Sequence, residues 1–309
     1  MLPGIGAPTP NGLVLHYLRA TTHYWQEKMA MGGALHALLI HVALALNVAT
    51  SSDIRIAFYN GKGTFTGSKE HETAFYLAIN TAAAALSKAQ QTHWTLTNLT
   101  EQNITEHLTT RNFNVVIFPG GSGDGQSNAL GADGRAAVQA FVRAGGGYIG
   151  TCGGAFLALG HLALYGSPPP PTVQPWARGH GPVAVEFTPK GVSSLHLPAS
   201  VYGAGRNVTI EYWQGPIIAT ADLAKYAPQA EVLSVFRTEI HNEHANETTG
   251  NMVNTPAVTR ALYGSGRVIL NSPHPEIPPE TSGGQPGLPP GRTRPEIYQG
   301  ELEWVLEGK

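Results

Sequence analysis

The sequence predicts an α/β fold in which a mainly parallel sheet is covered by helices on both faces. Strand-like and helix-like segments alternate four times between residues 54 and 164, which favours parallel strands because each needs a long crossover connection. After residue 180 the pattern changes to short β-rich runs separated by Gly, Pro and Asn, which predicts β-hairpins and a final strand. Three glycine-rich turns follow strand ends, where open α/β sheets bind their ligands.

The alternating half begins with a short apolar run at residues 54–59 that ends in a glycine-containing loop, as a strand does. Ser68 is the predicted N-cap of the next helix, and Glu70 and Glu72 occupy its first turn, where the helix dipole favours anions. The other predicted strands of this half are 93–99, 115–118 and 148–150, and the other helices are 100–109, 133–144 and 155–164.

The hairpin half contains apolar and β-branched runs that are each too short for a helix. The strands predicted here are 183–187, 208–213, 216–220, 231–236 and 266–271.

Composition excludes several functional classes. The chain has 309 residues, of which 42% are hydrophobic, so it can build a core of its own. A single Cys excludes an intramolecular disulfide framework and a zinc finger. With 19 Lys and Arg against 21 Asp and Glu, the net charge of −2 gives no basic surface for nucleic acid, and we predict no nucleic-acid partner.

The N-terminal residues 1–50 are predicted to be a signal peptide or signal anchor. Residues 29–48 contain no charged side chain, follow Lys28 and precede small residues of the kind found at cleavage sites. An amphipathic helix packed on the domain is the alternative, although His36 and His41 are poorly spaced for it. Membrane attachment is expected only through this segment.

Four glycosylation sequons also favour the secretory pathway. They begin at Asn98, Asn103, Asn207 and Asn246. We therefore expect a glycoprotein that is secreted or anchored by its N-terminal segment. The functional domain is predicted at 51–276. Residues 277–309 are predicted to be a Pro/Gly-rich linker followed by a short C-terminal docking segment.

The lone cysteine lies in a pattern typical of a nucleophile. Strand residues lead into Gly150-Thr-Cys152-Gly-Gly154 and a helix leaves it, so small residues permit the sharp turn that presents a nucleophile. A thiol at a helix N-terminus is also activated. The alternative, a buried structural cysteine, is the more usual reading of a Cys outside such a turn.

A second motif, Ser272-Pro-His-Pro-Glu276, follows the final predicted strand. His274 and Glu276 can be aimed at one site, with the imidazole as the base toward a thiol and the carboxylate orienting it. A third glycine turn contains Gly120 and Gly121, whose amides could form an oxyanion hole with the Gly153 N–H.

Together these residues resemble a known group. The motifs FPGG, GTCGG and SPHPE, at these separations, resemble the class I glutamine amidotransferase-like superfamily. The segments RIAFYNGKG, IEYWQGPII and YGSGRVILNSPHPE are similar to the branch typified by the N-terminal domain of eukaryotic biotin-protein ligases. The resemblance covers about residues 53–276.

This resemblance implies a flavodoxin-like three-layer sandwich. It also implies Cys152 as nucleophile, His274 as base, Glu276 as orienting acid and Gly121 with Gly153 as oxyanion donors. The resemblance also implies that three residues lie near the substrate pocket: Tyr212, Trp213 and Gly215. Nothing in the sequence resembles a ligase catalytic domain or a synthetase domain.

The leading functional hypothesis is a stand-alone thiol-dependent hydrolase of amide or γ-glutamyl-type C–N bonds, acting on a small-molecule or peptide amide. The alternatives are a non-catalytic small-molecule-binding module on the same fold and a redox-sensing thiol protein. No cofactor is predicted. A His/Glu cluster at residues 239–244 and the polar Asp124 and Gln126 are weaker features, and we predict no metal site.

Overall fold

The computed structural model describes residues 53–65, 68–174, 179–240, 250–279 and 291–308. Within them one sheet of nine strands has the order β2-β1-β3-β4-β9-β8-β7-β5-β6. The strands are β1 (Ile54–Tyr59), β2 (Trp94–Leu99), β3 (Val115–Phe118), β4 (Gly147–Thr151), β5 (His180–Phe187), β6 (Asn207–Trp213), β7 (Glu231–Phe236), β8 (Pro256–Tyr263) and β9 (Gly266–Asn271).

The two longest helices connect strands of the parallel half. The helices are α1 (Lys69–Gln90), α2 (Ile104–His107), α3 (Gly123–Arg143), α4 (Gly153–Phe156, continued by a π-helical turn Leu157–His161), α5 (Pro189–Ser194), α6 (Ala199–Tyr202), α7 (Thr220–Tyr226) and α8 (Pro295–Leu306). As predicted, the hydroxyl of Ser68 caps α1 by accepting a hydrogen bond from the His71 N–H.

Five strands are parallel, and the remainder of the sheet is antiparallel. Strands β2, β1, β3, β4 and β9 run parallel, and β9, β8, β7, β5 and β6 pair antiparallel in turn. The predicted α/β class, with a mainly parallel sheet and added hairpins, is therefore confirmed. Strand β9 joins the two halves, because it pairs with β4 on one side and β8 on the other.

Side chains of alternate strand residues fill two separate cores, which makes the architecture a three-layer sandwich. Ile56 and Phe58 of β1 face a core that includes residues of α1 and α8. Ala57 and Tyr59 face the opposite core, which includes Val138 and other residues of α3. Both faces of the sheet are therefore covered by helices.

Some elements differ from the prediction. The helical stretch α3 is interrupted at Gly131 (φ 62°, ψ −171°). The part after Gly131 is the predicted helix, whereas the part from Gly123, which Ser122 caps, was not predicted because its glycines have low helix propensity. Residues 216–220 form no strand, and Ile218 makes one isolated bridge to Thr172. Strand β8 was not predicted, since its Pro256 is a strand breaker in sequence patterns.

Two of the predicted glycosylation sites lie on opposite edges of the sheet. Asn98 is exposed on edge strand β2, and Asn207 is exposed at the start of edge strand β6. Asn103 is half-buried, and its side-chain oxygen accepts a hydrogen bond from the Thr100 N–H. Asn246 lies outside the described residues, as does most of the His/Glu cluster at 239–244.

The predicted signal segment, residues 29–48, also lies outside the described residues. In the described part of the chain, no helix combines the length and the apolar character needed to cross a membrane.

Candidate active site

A cavity of about 630 Å³ lies at the carboxyl ends of the parallel strands. The loops after β3, β4, β6 and β9 all contribute to its wall. Its lining includes the three aromatic residues Phe65, Phe156 and Trp213, the three histidines His71, His161 and His274, and the thiol of Cys152. We call it the Cys152 cavity.

Cys152 stands on a strained turn between β4 and α4. Its φ of 52° and ψ of −103° are rare for a residue with a side chain. The turn can form because its neighbours are glycines: a methyl group at Gly154 would lie 2.1 Å from the Phe118 carbonyl oxygen. The Cys152 N–H donates to the Asn271 carbonyl at 2.8 Å, which ties the turn to the end of β9. This geometry is that of a nucleophile elbow.

The thiol itself is 6% exposed and opens into the cavity. Its Sγ donates a hydrogen bond to the Trp213 carbonyl oxygen at 3.2 Å. Gln214, the next residue, has a φ of 59°, so the chain turns sharply where it presents that carbonyl. In this state the S–H points at a backbone acceptor.

His274 and Glu276 form a buried pair beside the thiol. Nδ1 of His274 lies 2.6 Å from Oε1 of Glu276. The loop that carries them is fixed by a backbone hydrogen bond of 2.7 Å from the His274 N–H to the Glu211 carbonyl. The flanking residues Pro273 and Pro275 restrict it further. The imidazole is therefore held in one orientation.

The protonation of His274 is set by opposing effects. Burial lowers its pKa, but the Glu276 carboxylate and the nearby Cys152 thiol outweigh burial and raise the pKa to about 10. Nε2 is buried and has no hydrogen-bond partner among the described residues. Because Nδ1 is taken by Glu276, Nε2 is the nitrogen left to exchange a proton with the thiol.

Gly120 and Gly121 bring the backbone close to these side chains. A methyl group at Gly120 would lie 2.7 Å from Cε1 of His274, and one at Gly153 would lie 2.9 Å from the Gly121 nitrogen. Gly121 has a φ of 132°, which favours glycine. Hydrogen bonds from Phe65 N to Gly120 O (2.9 Å) and from Ser122 N to Gly63 O (2.8 Å) hold this turn.

Those bonds leave the N–H groups of Gly121 and Gly153 without an acceptor in the described part of the chain. The Gly153 N–H is the first of α4 and cannot bond within its own helix. Two free amides near a thiol are the arrangement of an oxyanion hole.

Trp213 lines the cavity, whereas its neighbour Tyr212 points away from it. Adjacent residues of strand β6 point to opposite faces. Tyr212 is fully buried, its ring packs against Phe236, and its hydroxyl donates to the Gly215 carbonyl at 2.9 Å. It supports the loop after β6 and does not line the Cys152 cavity.

The Trp213 ring is held between two histidines at the cavity wall. Its centroid lies 4.6 Å from that of His71, edge to face, and 4.6 Å from that of His180, stacked. The pattern of the sequence did not indicate His71, because it lies in the first turn of a helix that reads as purely structural.

Asp124 and Gln126, the two weaker polar candidates, differ in whether they line the cavity. Asp124 lines the cavity and lies 2.7 Å from Nε2 of His161, which also lines it. Gln126 is buried and donates to the Pro119 carbonyl at 3.0 Å, which stabilises the glycine turn. Asp124 and His161 are thus a polar pair in the cavity wall, whereas Gln126 is structural.

Sequence reasoning missed a hydroxyl behind Cys152, His274 and Glu276, the candidate triad of this site. Tyr298 of α8 donates to Oε2 of Glu276 at 2.7 Å, and Oγ1 of Thr151 lies 3.0 Å from the same hydroxyl. All three residues are buried. Tyr298 lies in the segment predicted only to dock on the domain, and no local motif marks it.

The α/β sheet and the strand-to-helix elbow at Cys152 agree with the resemblance to the class I glutamine amidotransferase-like superfamily. Residues 54–165 match the family described as "Biotin-protein ligase, N terminal". This match confirms the resemblance expected from the sequence over that segment, which contains Cys152 and the three glycine-rich turns but neither His274 nor Glu276.

Solved structures with low sequence identity are also similar to this chain. A ThuA-like protein from Bacteroides uniformis is 14% identical over 83% of this chain and 92% of its own, with a TM-score of 0.45. A cytoplasmic protein from Salmonella typhimurium is 11% identical over 82% and 99%, with a TM-score of 0.47. The glutaminase domain of Trypanosoma brucei CTPS with bound acivicin is 15% identical over 83% and 95%, with a TM-score of 0.45. No curated protein matches the sequence.

Proposed function

We propose that the protein is a thiol-dependent hydrolase of amide C–N bonds, including γ-glutamyl-type bonds. The observation that carries the proposal is the buried His274–Glu276 pair, with a free Nε2, beside a thiol on a strained elbow. The family match and the fold support an amide-hydrolase or binding role in general. A small-molecule or peptide amide is the proposed substrate.

In the first half of the reaction, the proton of the Cys152 thiol moves to Nε2 of His274, where the raised pKa of the imidazolium favours it, and the resulting thiolate attacks the amide carbonyl carbon. The carbonyl π electrons move onto oxygen, which accepts hydrogen bonds from the N–H groups of Gly121 and Gly153. The imidazolium then gives its proton to the amide nitrogen. The C–N bond breaks, an amine leaves and a thioester remains on Cys152.

In the second half, His274 takes a proton from water, and the resulting hydroxide attacks the thioester carbonyl. The C–S bond breaks, the carboxylic acid leaves, and the proton returns to the Cys152 sulfur. Glu276 keeps its charge throughout and stabilises each imidazolium. No oxidant or cofactor enters this cycle.

A direct test is to alkylate the purified protein with iodoacetamide and to follow hydrolysis of a panel of amides. Because the chain contains one cysteine, the modification is confined to Cys152. Full modification and the C152S variant should each abolish release of the amine. Hydroxylamine added during turnover should yield a hydroxamate from the thioester. Undiminished hydrolysis after complete alkylation would refute the proposal.

The second candidate function, a non-catalytic binding module, is favoured by one observation. The Cys152 S–H donates to the Trp213 carbonyl oxygen at 3.2 Å, so the thiol has a resting acceptor outside the His274–Glu276 pair. Calorimetry with amides that bind, combined with the hydrolysis assay, separates the two functions. Binding without turnover in the unmodified protein would favour the module.

We also propose that the protein is a glycoprotein of the secretory pathway. The exposed sequon residues Asn98 and Asn207 and the apolar segment 29–48 support this placement. Expression in a eukaryotic secretory host should give a protein whose mass falls on treatment with a peptide N-glycosidase. N98Q and N207Q should each remove one glycan. An unglycosylated product retained in the cytosol would refute this placement.

A further inference from the structure

We propose that Tyr298 is a positioning residue of the triad and that helix α8 is therefore part of the active site. This inference rests on the proposed function, because Glu276 matters only if His274 acts on Cys152. Tyr298 touches neither the thiol nor the imidazole. Its hydroxyl lies 2.7 Å from Oε2 of Glu276, whereas Oε1 of the same carboxylate lies 2.6 Å from Nδ1 of His274.

The direction of each hydrogen bond follows from the number of protons. A phenol has one hydroxyl proton, and a carboxylate can only accept, so Tyr298 donates to Glu276. Thr151, 3.0 Å from the same phenol oxygen, must then be the donor in that contact. The chain runs from Thr151 to Tyr298 to Glu276, and His274 donates to the carboxylate from the other side.

This chain links the two halves of the triad behind the cavity. Thr151 is the residue before Cys152 at the end of β4, whereas Glu276 and His274 are on the loop after β9. Tyr298 connects both through one hydroxyl. The hydroxyl oxygen of Tyr298 therefore contacts both the residue next to the nucleophile and the orienting acid.

The helix that carries Tyr298 is firmly held. Its residues Ile297, Leu302 and Val305 are completely buried in the core shared with α1. Because these neighbours fix the backbone on both sides of Tyr298, the hydroxyl has little freedom to leave Glu276. A rigid support of this kind preserves the geometry of a catalytic group.

The charges around Glu276 explain why its second oxygen needs a donor. The described groups that interact with it are His274 on its own loop, and Tyr298 and Glu301 on α8. Burial, followed by the charges of Glu276 and Glu301, raises the pKa of Tyr298 well above its ordinary value. The phenol therefore remains protonated and able to donate over the working pH range.

The test compares Y298F with Y202F in the full chain. Each variant removes one tyrosine hydroxyl that donates to a glutamate. Tyr202 of α6 donates to Glu296 of α8 at 2.6 Å, away from the triad. The thiolate of Cys152 is titrated by its ultraviolet absorbance, with the C152S variant as the blank. This readout needs no substrate.

In Y298F the Glu276 carboxylate is no longer held by a second donor and can move away from Nδ1 of His274. The imidazolium is then less stabilised, and the thiolate should form at higher pH. We expect an upward shift of about 0.5–1 pH unit in the midpoint, and a roughly 3–10-fold lower rate of alkylation at neutral pH. Y202F should titrate as the unmodified protein does. An unchanged midpoint in Y298F, or an equal shift in both variants, overturns the inference.

If Y298F fails to fold, the same thiolate titration is carried out on T151V. This variant removes the donor at the other end of the chain, and its midpoint should shift in the same direction by a smaller amount. An unchanged midpoint in T151V would then overturn the inference. If the unmodified protein hydrolyses no amide, the proposed function fails, yet a shifted midpoint in these variants still establishes the positioning role toward the thiol.

Discussion

Nδ1 of His274 lies 2.6 Å from Oε1 of Glu276, and the two residues are only 5% and 2% exposed. Because both groups are shielded from water, the contact has two effects on His274. It places the ring proton on Nδ1, which directs Nε2 toward the thiol, and it stabilises the imidazolium once the thiol has given up its proton. Both effects depend on the negative charge of Glu276.

The E276Q variant should therefore keep its fold and lose most of its activity. The glutamine amide can still accept from Nδ1–H, but it carries no charge, so the pKa of His274 should fall and the thiolate should form at higher pH. We expect kcat/KM for a hydrolysed amide to fall by roughly 10²–10⁴-fold. E186Q, which neutralises a glutamate paired with Arg237 outside the cavity, is the matched control. Equal activity of E276Q and E186Q would contradict this role.

The parts of the site that lie within one motif could be predicted from sequence. Cys152 sits in a strand-to-helix turn, and His274 and Glu276 are two residues apart, so local pattern places all three at strand ends. The sheet then brings the strand ends together, because β4 and β9 are parallel neighbours. The alternating half of the fold was predictable for the same reason, since each strand and helix is marked by its own apolar period.

The rest depends on contacts that no local pattern records. The hydroxyl of Tyr298 meets Thr151 across 147 positions of sequence. Tyr212 and Trp213 are neighbours in a β-rich run, and only the register of β6 in the sheet decides which of them faces the cavity. Strand β8 was missed because its buried Arg260 and its leading Pro256 are acceptable only in the finished sheet.

A buried carboxyl on α8 should make the stability of the protein fall as the pH rises. Burial, together with the charge of Glu276, outweighs a hydrogen bond from Asn271 and raises the pKa of Glu301 from 4.5 to about 8. The folded state therefore binds one more proton than the unfolded state between these two values. The contribution of Glu301 to the free energy of unfolding falls through that range and levels off above pH 8.

The E301Q variant should remove this dependence. Glutamine can still accept the 3.0 Å hydrogen bond from Asn271 and carries no charge to bury. Denaturant titrations should show similar stability for both proteins in mild acid and a more stable variant in mild alkali. E303Q, on the exposed side of the same helix, should retain the slope of the unmodified protein. A variant less stable than the unmodified protein in mild alkali would contradict the prediction.

Gly120 should be required for the position of His274 more than for the fold. A methyl group there would stand 2.7 Å from Cε1 of the imidazole, about 1 Å closer than ordinary contact. In G120A the ring must retreat, because the backbone of the turn is fixed by its hydrogen bonds to residues 63 and 65. A displacement of this size costs roughly 100-fold in rate, whereas overpacking costs about 1–3 kcal/mol of stability.

G160A is the matched control for this prediction, because Gly160 also lines the cavity but a methyl group on it would meet no atom within 4 Å. Kinetics of amide hydrolysis and the thiolate titration should both change in G120A and remain unchanged in G160A. If G120A retained full activity and the thiolate midpoint of the unmodified protein, His274 would have room to move without consequence. The orientation imposed by Glu276 would then be insufficient to define the catalytic geometry.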